Sequence, residues 1–415
     1  MILNKEQSWF NNAIMYHILI DRFSGFTPDG ALRWDTPDSV GGNINGITAK
    51  LDYLSALGVN TLWLSPFYQN AGNKDAYHGY HITDYFSVDS RFGTNDDLGI
   101  LINECHKRGM RVVGDFVPNH CHENHEFFQS AKHDKNSPYR RWFVFHEGKT
   151  REEDTYEQYL NCGFLPKFNF GNPETRNYMI QVALFWLDLG FDGFRIDHAI
   201  GVSHSFLKEL SGVLKEKKSH CVLFGEALLD TQTFRNYYDT IQIKKKWLRK
   251  FFGVNQSALQ LDYAGTLNGV LDFEFQSQMV QYVTGKISKQ VLEKQLQRHL
   301  DKCPKDYSLV LFLDSHDSNR LICENRENLE QKKEILKYTA EVMLEYGQKY
   351  KLPVSFYYGF EIMLNQVVPK PSEGYPYADL LARRAMDWTR NKDQEDFLCS
   401  ISGLIKRKRT EERHE

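Results

Sequence analysis

The sequence has little of several features that would assign it to a specialised class of protein. Its 415 residues include seven cysteines, an odd number, and none of them has the CxxC spacing of a zinc or redox motif. This pattern predicts reduced thiols in a cytoplasmic protein. No apolar run approaches the length of a membrane span. The first residues, MILNKEQSWFNN, lack the basic-then-apolar pattern of a secretory leader.

The sequence also has almost no net charge, because 51 basic residues stand against 54 acidic ones. It therefore has neither the basic footprint of a nucleic-acid-binding protein nor a polybasic membrane patch. We expect no nucleic-acid partner and no membrane partner. Hydrophobic residues make up 41% of the chain and charged residues 25%, as in ordinary globular proteins. This composition leaves the oligomeric state open.

Strand and helix signals alternate along the chain, which predicts an α/β protein. The predicted strands are residues 15–23, 61–66, 111–117, 193–197, 221–226, 269–275, 308–314 and 353–359. The predicted helices are residues 47–58, 95–109, 172–190, 204–218 and 396–410. Eight short apolar strands alternating with helices predict a (β/α)8 TIM barrel, a fold that routinely exceeds 200 residues as one domain.

The alternation breaks after the third predicted strand. From about residue 121 to residue 171 the chain is polar, aromatic and aperiodic. A structureless connection of about 50 residues is improbable within a compact protein. We therefore predict a short lid domain inserted at 121–171, with the first part of the catalytic barrel at 1–120 and its remainder at 172–415.

Polar side chains follow several of the predicted strands. Four strings begin apolar and end in carboxylate, His, Arg or Asn: GDFVPNH (114–120), GFDGFRIDHAI (190–200), LFGEAL (223–228) and FLDSHD (312–317). In a β/α barrel the reacting groups lie at the carboxyl ends of several strands, so separate segments converge on one pocket. Three of these ends carry the acids Asp197, Glu226 and Asp317. Such a set of acids is what cleavage or transfer of a glycosidic bond requires.

The four strings resemble, in order, the four signature regions of the α-amylase superfamily of retaining glycoside hydrolases and transglycosidases. Other segments resemble further family regions: GGNINGITAKLDYLSALGVNTLWLSPF (41–67), AYHGYHITDYFSVDSRFGT (76–94), LPKFN (165–169) and VSFYYGFE (354–361). The matches extend from about Met15 to Trp388, so they cover nearly the whole chain. Family members generally carry a β-sandwich after the barrel, and the resemblance implies that this chain lacks it.

The resemblance implies a double displacement by carboxylic acids. Asp197 matches the nucleophile of the family, Glu226 its general acid/base, and Asp317 the third acid, which stabilises the transition state. Arg195 lies two residues before Asp197, so both side chains point to the same side of the strand. We expect Arg195 to keep Asp197 ionised and oriented. Because Glu226 leaves an apolar strand, we expect partial desolvation to keep it protonated until it is needed.

The resemblance also implies side chains that bind the sugar. His120 and His316 match two histidines that donate hydrogen bonds to sugar hydroxyls, and Tyr80 matches an aromatic residue that stacks under the sugar. We expect Asp115 to brace the floor of the pocket. The implied substrate is an α-glucan or malto-oligosaccharide with α-1,4 linkages. Hydrolases, α-glucosidases and 4-α-glucanotransferases share these motifs, so water and sugar both remain possible acceptors.

No cofactor is expected, although many relatives hold a structural calcium ion near the position of Asn119. Lys167 stands where those relatives have a ligand Asp, and Gly201 stands where they have a ligand His. Calcium requires six to eight oxygen ligands, and a Lys ammonium can replace its charge. We therefore expect the usual calcium site to be disrupted. The string LPKFN resembles the fifth region of neopullulanase and cyclomaltodextrinase.

Two other classes of protein fit less of the sequence. His120 and His122, with His125 and His133 nearby, have the HxH spacing of some barrel metal hydrolases. Such zinc sites usually add an Asp from a later strand, and the position of the pair after Pro-Asn suits a sugar enzyme better. A non-catalytic sugar-binding barrel would have lost its acids, whereas this sequence keeps all three.

Overall fold

The computed structural model describes residues 8–27, 38–146, 148, 155–160, 162–321, 329–366 and 378–411. Its strands, in chain order, are β1 (Ile14–Ile18), β2 (Thr61–Leu64), β3 (Tyr68–Asn70), β4 (Ile82–Val88), β5 (Arg111–Phe116), β6 (Phe145–His146), β7 (Thr155–Tyr156), β8 (Gly193–Ile196), β9 (Val222–Gly225), β10 (Gly269–Leu271), β11 (Ser308–Phe312) and β12 (Val354–Tyr357). Eight of them form a closed barrel in the order β1-β2-β5-β8-β9-β10-β11-β12, and β12 pairs with β1 in parallel. The predicted (β/α)8 barrel is confirmed.

Helices follow most of the barrel strands. They are α1 (Ser8–Asn11), α2 (Ile20–Phe23), α3 (Ile44–Thr48), α4 (Leu51–Leu57), α5 (Asn95–Lys107), α6 (Glu126–His133), α7 (Pro173–Leu189), α8 (His204–Lys217), α9 (Thr231–Asn236), α10 (Lys246–Phe252), α11 (Gln256–Leu261), α12 (Phe273–Val283), α13 (Lys289–Leu300), α14 (Leu329–Tyr350) and α15 (Lys392–Glu411). Among the described residues, none of these helices combines the length and the apolar character needed to cross a membrane.

By its internal contacts the chain divides into two compact units. One comprises the described residues of Met1–Ser65, Arg91–Val113 and Leu271–Glu415, and the other Pro66–Ser90 and Gly114–Val270. The antiparallel pairs β3–β4 and β6–β7 both belong to the second unit. The predicted inserted domain at 121–171 contains α6, β6 and β7, and its boundaries stay a prediction.

Aromatic packing sets the core of the second unit. The ring of Phe67 stacks on Phe191 with centroids 5.1 Å apart and meets Trp186 edge-on at 4.8 Å. A Cβ on Gly114 would lie only 3.0–3.1 Å from the Phe191 and Phe67 rings. A larger residue at this position would require the two rings to shift by a few tenths of an ångström. This packing fixes the position of β5 at Gly114, and Asp115 is the next residue of that strand.

A buried carboxylic acid joins three elements of the first unit. The hydroxyls of Tyr16 in β1 and Tyr53 in α4 donate to Glu361 Oε1 at 2.7 Å and 2.6 Å. Burial raises the pKa of Glu361, and the two phenol hydrogen bonds oppose that rise. The backbone N–H of Gly359 in turn donates to the Tyr16 hydroxyl (3.1 Å). These bonds hold the turn that follows β12.

Two predicted strands end several residues earlier in the structure. The strand predicted at 15–23 ends at Ile18, because the chain turns into α2 and the Asp21 carboxylate accepts from the Val40 backbone N–H (3.1 Å). The strand predicted at 269–275 ends at Leu271. There Asp272 caps α12 by accepting from the Phe275 N–H (3.0 Å), so the apolar run FEF continues as helix.

Two further differences concern long helical segments. The helix predicted at 47–58 is two helices, α3 and α4, separated at Lys50, whose backbone (φ −106°, ψ 7°) leaves the helical region. The 22-residue helix α14 was not predicted, although it buries an apolar stripe that includes Leu336, Ala340 and Met343. That stripe has the helical spacing of three to four residues, so periodicity alone could have revealed it.

Candidate active site

One arginine joins three carboxylates in the second unit. Arg195, in β8, is 1% exposed, and its Nη1 donates to Asp115 Oδ1 (2.7 Å) and Asp197 Oδ1 (2.8 Å). Its Nη2 lies 2.9 Å from Glu226 Oε2. Burial disfavours the charged guanidinium, but the surrounding acids outweigh burial and raise the pKa of Arg195 well above its usual value. Arg195 is therefore a permanent cation at the centre of this cluster.

Strand geometry brings these groups together. Arg195 and Asp197 lie two residues apart at the end of β8, so their side chains share one face of the strand, as predicted. The Asp197 backbone N–H donates to Phe116 O (2.8 Å), which ties this end of β8 to the end of β5. The Asp197 side chain is 10% exposed, so a small part of the carboxylate remains open to a ligand.

Glu226 lies just past the end of β9 and is held by two donors. Besides Arg195, the backbone N–H of His198 donates to Glu226 Oε2 at 2.9 Å. His198 has a left-handed backbone conformation (φ 42°), which residues other than glycine rarely adopt. This turn directs the His198 N–H to the Glu226 carboxyl group. Both donors contact the same oxygen and fix the position of the Glu226 carboxyl group. The side chain is 17% exposed.

Tyr80 contributes its hydroxyl to the same cluster. The hydroxyl donates to Asp115 Oδ2 (3.0 Å) and accepts from Arg195 Nη1 (3.4 Å). Asp115 is fully buried between these two partners, which agrees with the expected bracing role. The structure thus fixes the hydroxyl end of Tyr80, and sugar stacking on its ring stays a prediction.

His120 is placed as a neutral hydrogen-bond donor. Burial, reinforced by the nearby His81, lowers the pKa of His120 to about 3. The Asn119 amide nitrogen donates to His120 Nδ1 (3.3 Å), so the imidazole proton resides on Nε2. Within the described part of the chain, His120 Nε2 has no hydrogen-bond partner. It can donate to a ligand hydroxyl, as the sequence analysis expects.

The third predicted acid belongs to the first unit. Asp317 follows β11, and its side chain is 44% exposed. His316 Nε2 lies 2.9 Å from Asp317 Oδ2, and Arg383 Nη2 lies 2.9 Å from Asp317 Oδ1. His316 therefore contacts the acid directly, and its hydrogen bond to a sugar hydroxyl stays a prediction. Sequence reasoning missed Arg383, because it lies 66 residues away in a segment with no strand or motif signal.

Lys167 and Gly201 stand where the resemblance places two calcium ligands, and neither side chain offers the ion an oxygen ligand. Lys167 is buried, and its Nζ donates to the backbone oxygen of Thr240. Burial lowers the pKa of Lys167 to about 8, with Glu157 opposing the change, so the ammonium stays largely protonated at neutral pH. A Cβ on Gly201 would collide with Asn119 Oδ1, so a side chain at this position would require the Asn119 side chain to move. Disruption of the calcium site stays a prediction.

Two of the four histidines of the alternative zinc site accept hydrogen bonds from local backbone N–H groups. His122 Nδ1 accepts from the Asn124 backbone N–H (3.1 Å), and His125 Nδ1 accepts from the Phe127 N–H (3.3 Å) at the start of α6. A nitrogen that accepts an N–H has no lone pair left for a metal ion. This arrangement does not support an HxH metal site.

A closed β/α barrel with carboxylates at the ends of its strands has the arrangement of a barrel enzyme, because the reacting groups of such enzymes lie at the carboxyl ends of several strands. Residues 17–411 match the family described as the α-amylase catalytic domain, so the chain belongs to that family. Alpha-amylase 2 of Dictyoglomus thermophilum is 34% identical over 319 residues, which cover 76% of this chain and 50% of that protein. The intracellular maltogenic amylase of Bacillus subtilis is 29% identical over 411 residues, covering 96% and 61%.

Solved structures show the same relationship. Cyclic alpha-maltosyl-(1→6)-maltose hydrolase from Arthrobacter globiformis, in complex with maltose, superposes with a TM-score of 0.75 at 26% identity. The match covers 96% of this chain and 83% of that structure. The chain spans about half to three-fifths of the length of the two curated relatives described above.

Proposed function

We propose that the protein is a retaining glycosidase that cleaves α-1,4-linked malto-oligosaccharides through a covalent glycosyl-enzyme. Asp197 is the nucleophile, Glu226 the general acid/base and Asp317 the acid that stabilises the transition state. The observation that carries this assignment is the Arg195 guanidinium, which holds Asp197 and Glu226 on its two terminal nitrogens. A retaining enzyme requires two carboxyl groups roughly 5–5.5 Å apart, and a shared guanidinium keeps Asp197 and Glu226 close to each other.

The first step is attack by Asp197 on the anomeric carbon. An attacking carboxylate must be ionised, and the ion pair with Arg195 favours that form. Asp115 also pairs with Arg195, so the cation keeps a buried partner while Asp197 becomes an ester. The loss of charge on Asp197 therefore leaves no uncompensated buried cation.

Glu226 acts as the general acid/base in this proposal. Arg195 Nη2 and the His198 backbone N–H both contact its Oε2 and so fix the position of the carboxyl group. Glu226 protonates the leaving oxygen, and after the glycosyl-enzyme forms the same group accepts the proton of the incoming water or sugar.

The substrate class follows from the family and the polar groups around the acids. His120 presents one N–H donor, and Asp317 presents a carboxylate that accepts from sugar hydroxyls. Relatives named maltogenic amylase and cyclomaltodextrinase support malto-oligosaccharides and cyclic dextrins as substrates. One such relative is named intracellular, which supports a cytoplasmic location.

Transfer to a second sugar accompanies hydrolysis in this proposal, and a 4-α-glucanotransferase is the second candidate function. The supporting observation is Leu228, which lies two residues after Glu226 and is 49% exposed. An apolar side chain beside the acid/base favours a sugar ring over water as the acceptor. Ala227 adds nothing to this surface, because it is fully buried.

A product analysis tests the proposal. The purified protein is incubated with each substrate from maltose to maltoheptaose, and early products are separated by chain length while NMR records their anomeric form. We expect shorter maltodextrins that first appear as the α-anomer, because double displacement retains the configuration. Initial formation of the β-anomer would contradict the retaining mechanism, and absence of any cleavage would contradict the substrate class.

A further inference from the structure

The carboxylate of Asp317 is held on both of its oxygens, although nearly half of its side chain is exposed. His316 Nε2 contacts Oδ2, and Arg383 Nη2 contacts Oδ1, each at 2.9 Å. An exposed Asp normally samples several rotamers, and two charge-assisted contacts restrict it to one. The remaining exposed part of the carboxylate is left for a ligand.

Arg383 is suited to a positioning role because it is itself fixed. Its side chain is only 7% exposed, and its Nε donates to the backbone oxygen of His316 (2.8 Å). The guanidinium thus spans His316 and Asp317 with separate nitrogens, a geometry that a flexible Lys ammonium does not reproduce. Both bonds together determine where the Asp317 carboxylate lies.

The segment that carries Arg383 is fixed as well. Buried Arg320 donates through Nε to Ala382 O (3.1 Å) and through Nη1 to Tyr358 O (2.9 Å). The Tyr358 hydroxyl donates to Arg384 O (2.6 Å). The backbone on both sides of Arg383 is therefore bound to the end of β12 and to Arg320. This support keeps the guanidinium in place before any substrate arrives.

We propose that Arg383 is a positioning residue that orients Asp317 for contact with the sugar. The inference rests on the proposed role of Asp317 and extends it to a residue outside the family motifs identified in the sequence. Preorganised groups lower the barrier because they need no rearrangement when charge develops in the transition state. Loss of Arg383 should therefore reduce kcat more than it raises KM.

The test compares Arg383→Ala and Arg383→Lys with Arg384→Ala on maltotriose. Arg384 is the matched control, because it is the next residue and its Nη1 donates to Asn365 (2.8 Å). We expect Arg383→Ala to lower kcat about 10- to 100-fold, the size of one lost charge-assisted hydrogen bond. The Lys variant should recover part of this loss, and Arg384→Ala should stay within about twofold of wild type.

Two further measurements separate positioning from a general loss of structure. Guanidinium chloride, added below denaturing concentrations, should restore part of the activity of Arg383→Ala but none to Arg384→Ala. In a double-mutant cycle, Asp317→Asn combined with Arg383→Ala should be no slower than Asp317→Asn alone, because Arg383 acts through Asp317. If Arg383→Ala does not fold, the same cycle is run with Arg383→Lys, which keeps the cation.

The outcomes distinguish the role of Arg383 from the role of Asp317. Wild-type kcat in a folded Arg383→Ala variant, or multiplicative losses in the cycle, would overturn the positioning role while leaving the proposed function intact. Near-wild-type activity of Asp317→Asn would instead remove the third acid from the proposed mechanism. Rescue by guanidinium together with a non-additive cycle would support Arg383 as the positioning residue.

Discussion

Replacing Asp197 by Asn tests the proposed nucleophile with the smallest possible change of shape. The amide cannot form a glycosyl ester, so turnover of maltoheptaose should fall by at least about 10⁴-fold, as it does when coupled catalytic groups are removed. The structural cost should be modest. The variant weakens one charge-assisted hydrogen bond to Arg195, worth about 1.5–3 kcal/mol, while Asp115 and Glu226 still pair with that cation.

Such a loss is smaller than the stability of a typical domain, about 5–15 kcal/mol, so the variant should fold. Two assays follow: initial rates on maltoheptaose and a melting curve by circular dichroism. A third assay traps the intermediate. After incubation with a 5-fluoro-glycosyl fluoride, the mass of the wild-type protein should increase by one glycosyl group, and the mass of Asp197→Asn should not change.

Asp192→Asn is the matched control for this experiment. Asp192 is also a buried carboxylate next to β8, but it pairs with Lys218 (3.2 Å) and precedes the strand. Its replacement should lower stability and leave kcat within a few-fold of wild type. The assignment of Asp197 is refuted if its Asn variant keeps more than about 1% of wild-type turnover or still forms the covalent adduct.

Three other predictions concern the calcium ion, the pH dependence of stability and the acceptor of the glycosyl group. Because Lys167 stands where the resemblance places a calcium ligand, treatment with EDTA should leave both the melting temperature and the rate unchanged; a drop in both that calcium reverses would contradict this. Burial lowers the pKa of His125 to about 4, so the unfolded state binds the proton first as pH falls from 6.5, and His125 should by itself lower the free energy of unfolding by about 1.4 kcal/mol per pH unit between 6.5 and 4. Denaturant melts across this range should show a shallower decline for His125→Asn, which keeps an N-cap acceptor; an unchanged slope would contradict the assignment. Concentrated maltotriose should yield products longer than itself, and the appearance of glucose and maltose alone at early times would rule out transfer.

The sequence by itself determined the fold class, because the information needed is local. Apolar strings of strand length, each ending in a polar group, mark the barrel strands and their active ends, and β8 and β9 lie within one residue of their predicted bounds. Helix α7 likewise begins after the Asn172 cap and ends before Gly190, as the cap residues indicate. The two-residue spacing of Arg195 and Asp197 was enough to predict their ion pair.

Only the tertiary structure decided which distant groups meet. Arg195 pairs with Asp115, 80 residues earlier, and Arg383 pairs with Asp317 across 66 residues. No local sequence period predicts such pairs, because they depend on how the intervening chain folds and brings the two segments together. The surroundings of Glu226 are a result of the same kind. The fold supplies the Arg195 guanidinium and the left-handed His198 turn, whose donors both contact its carboxyl group.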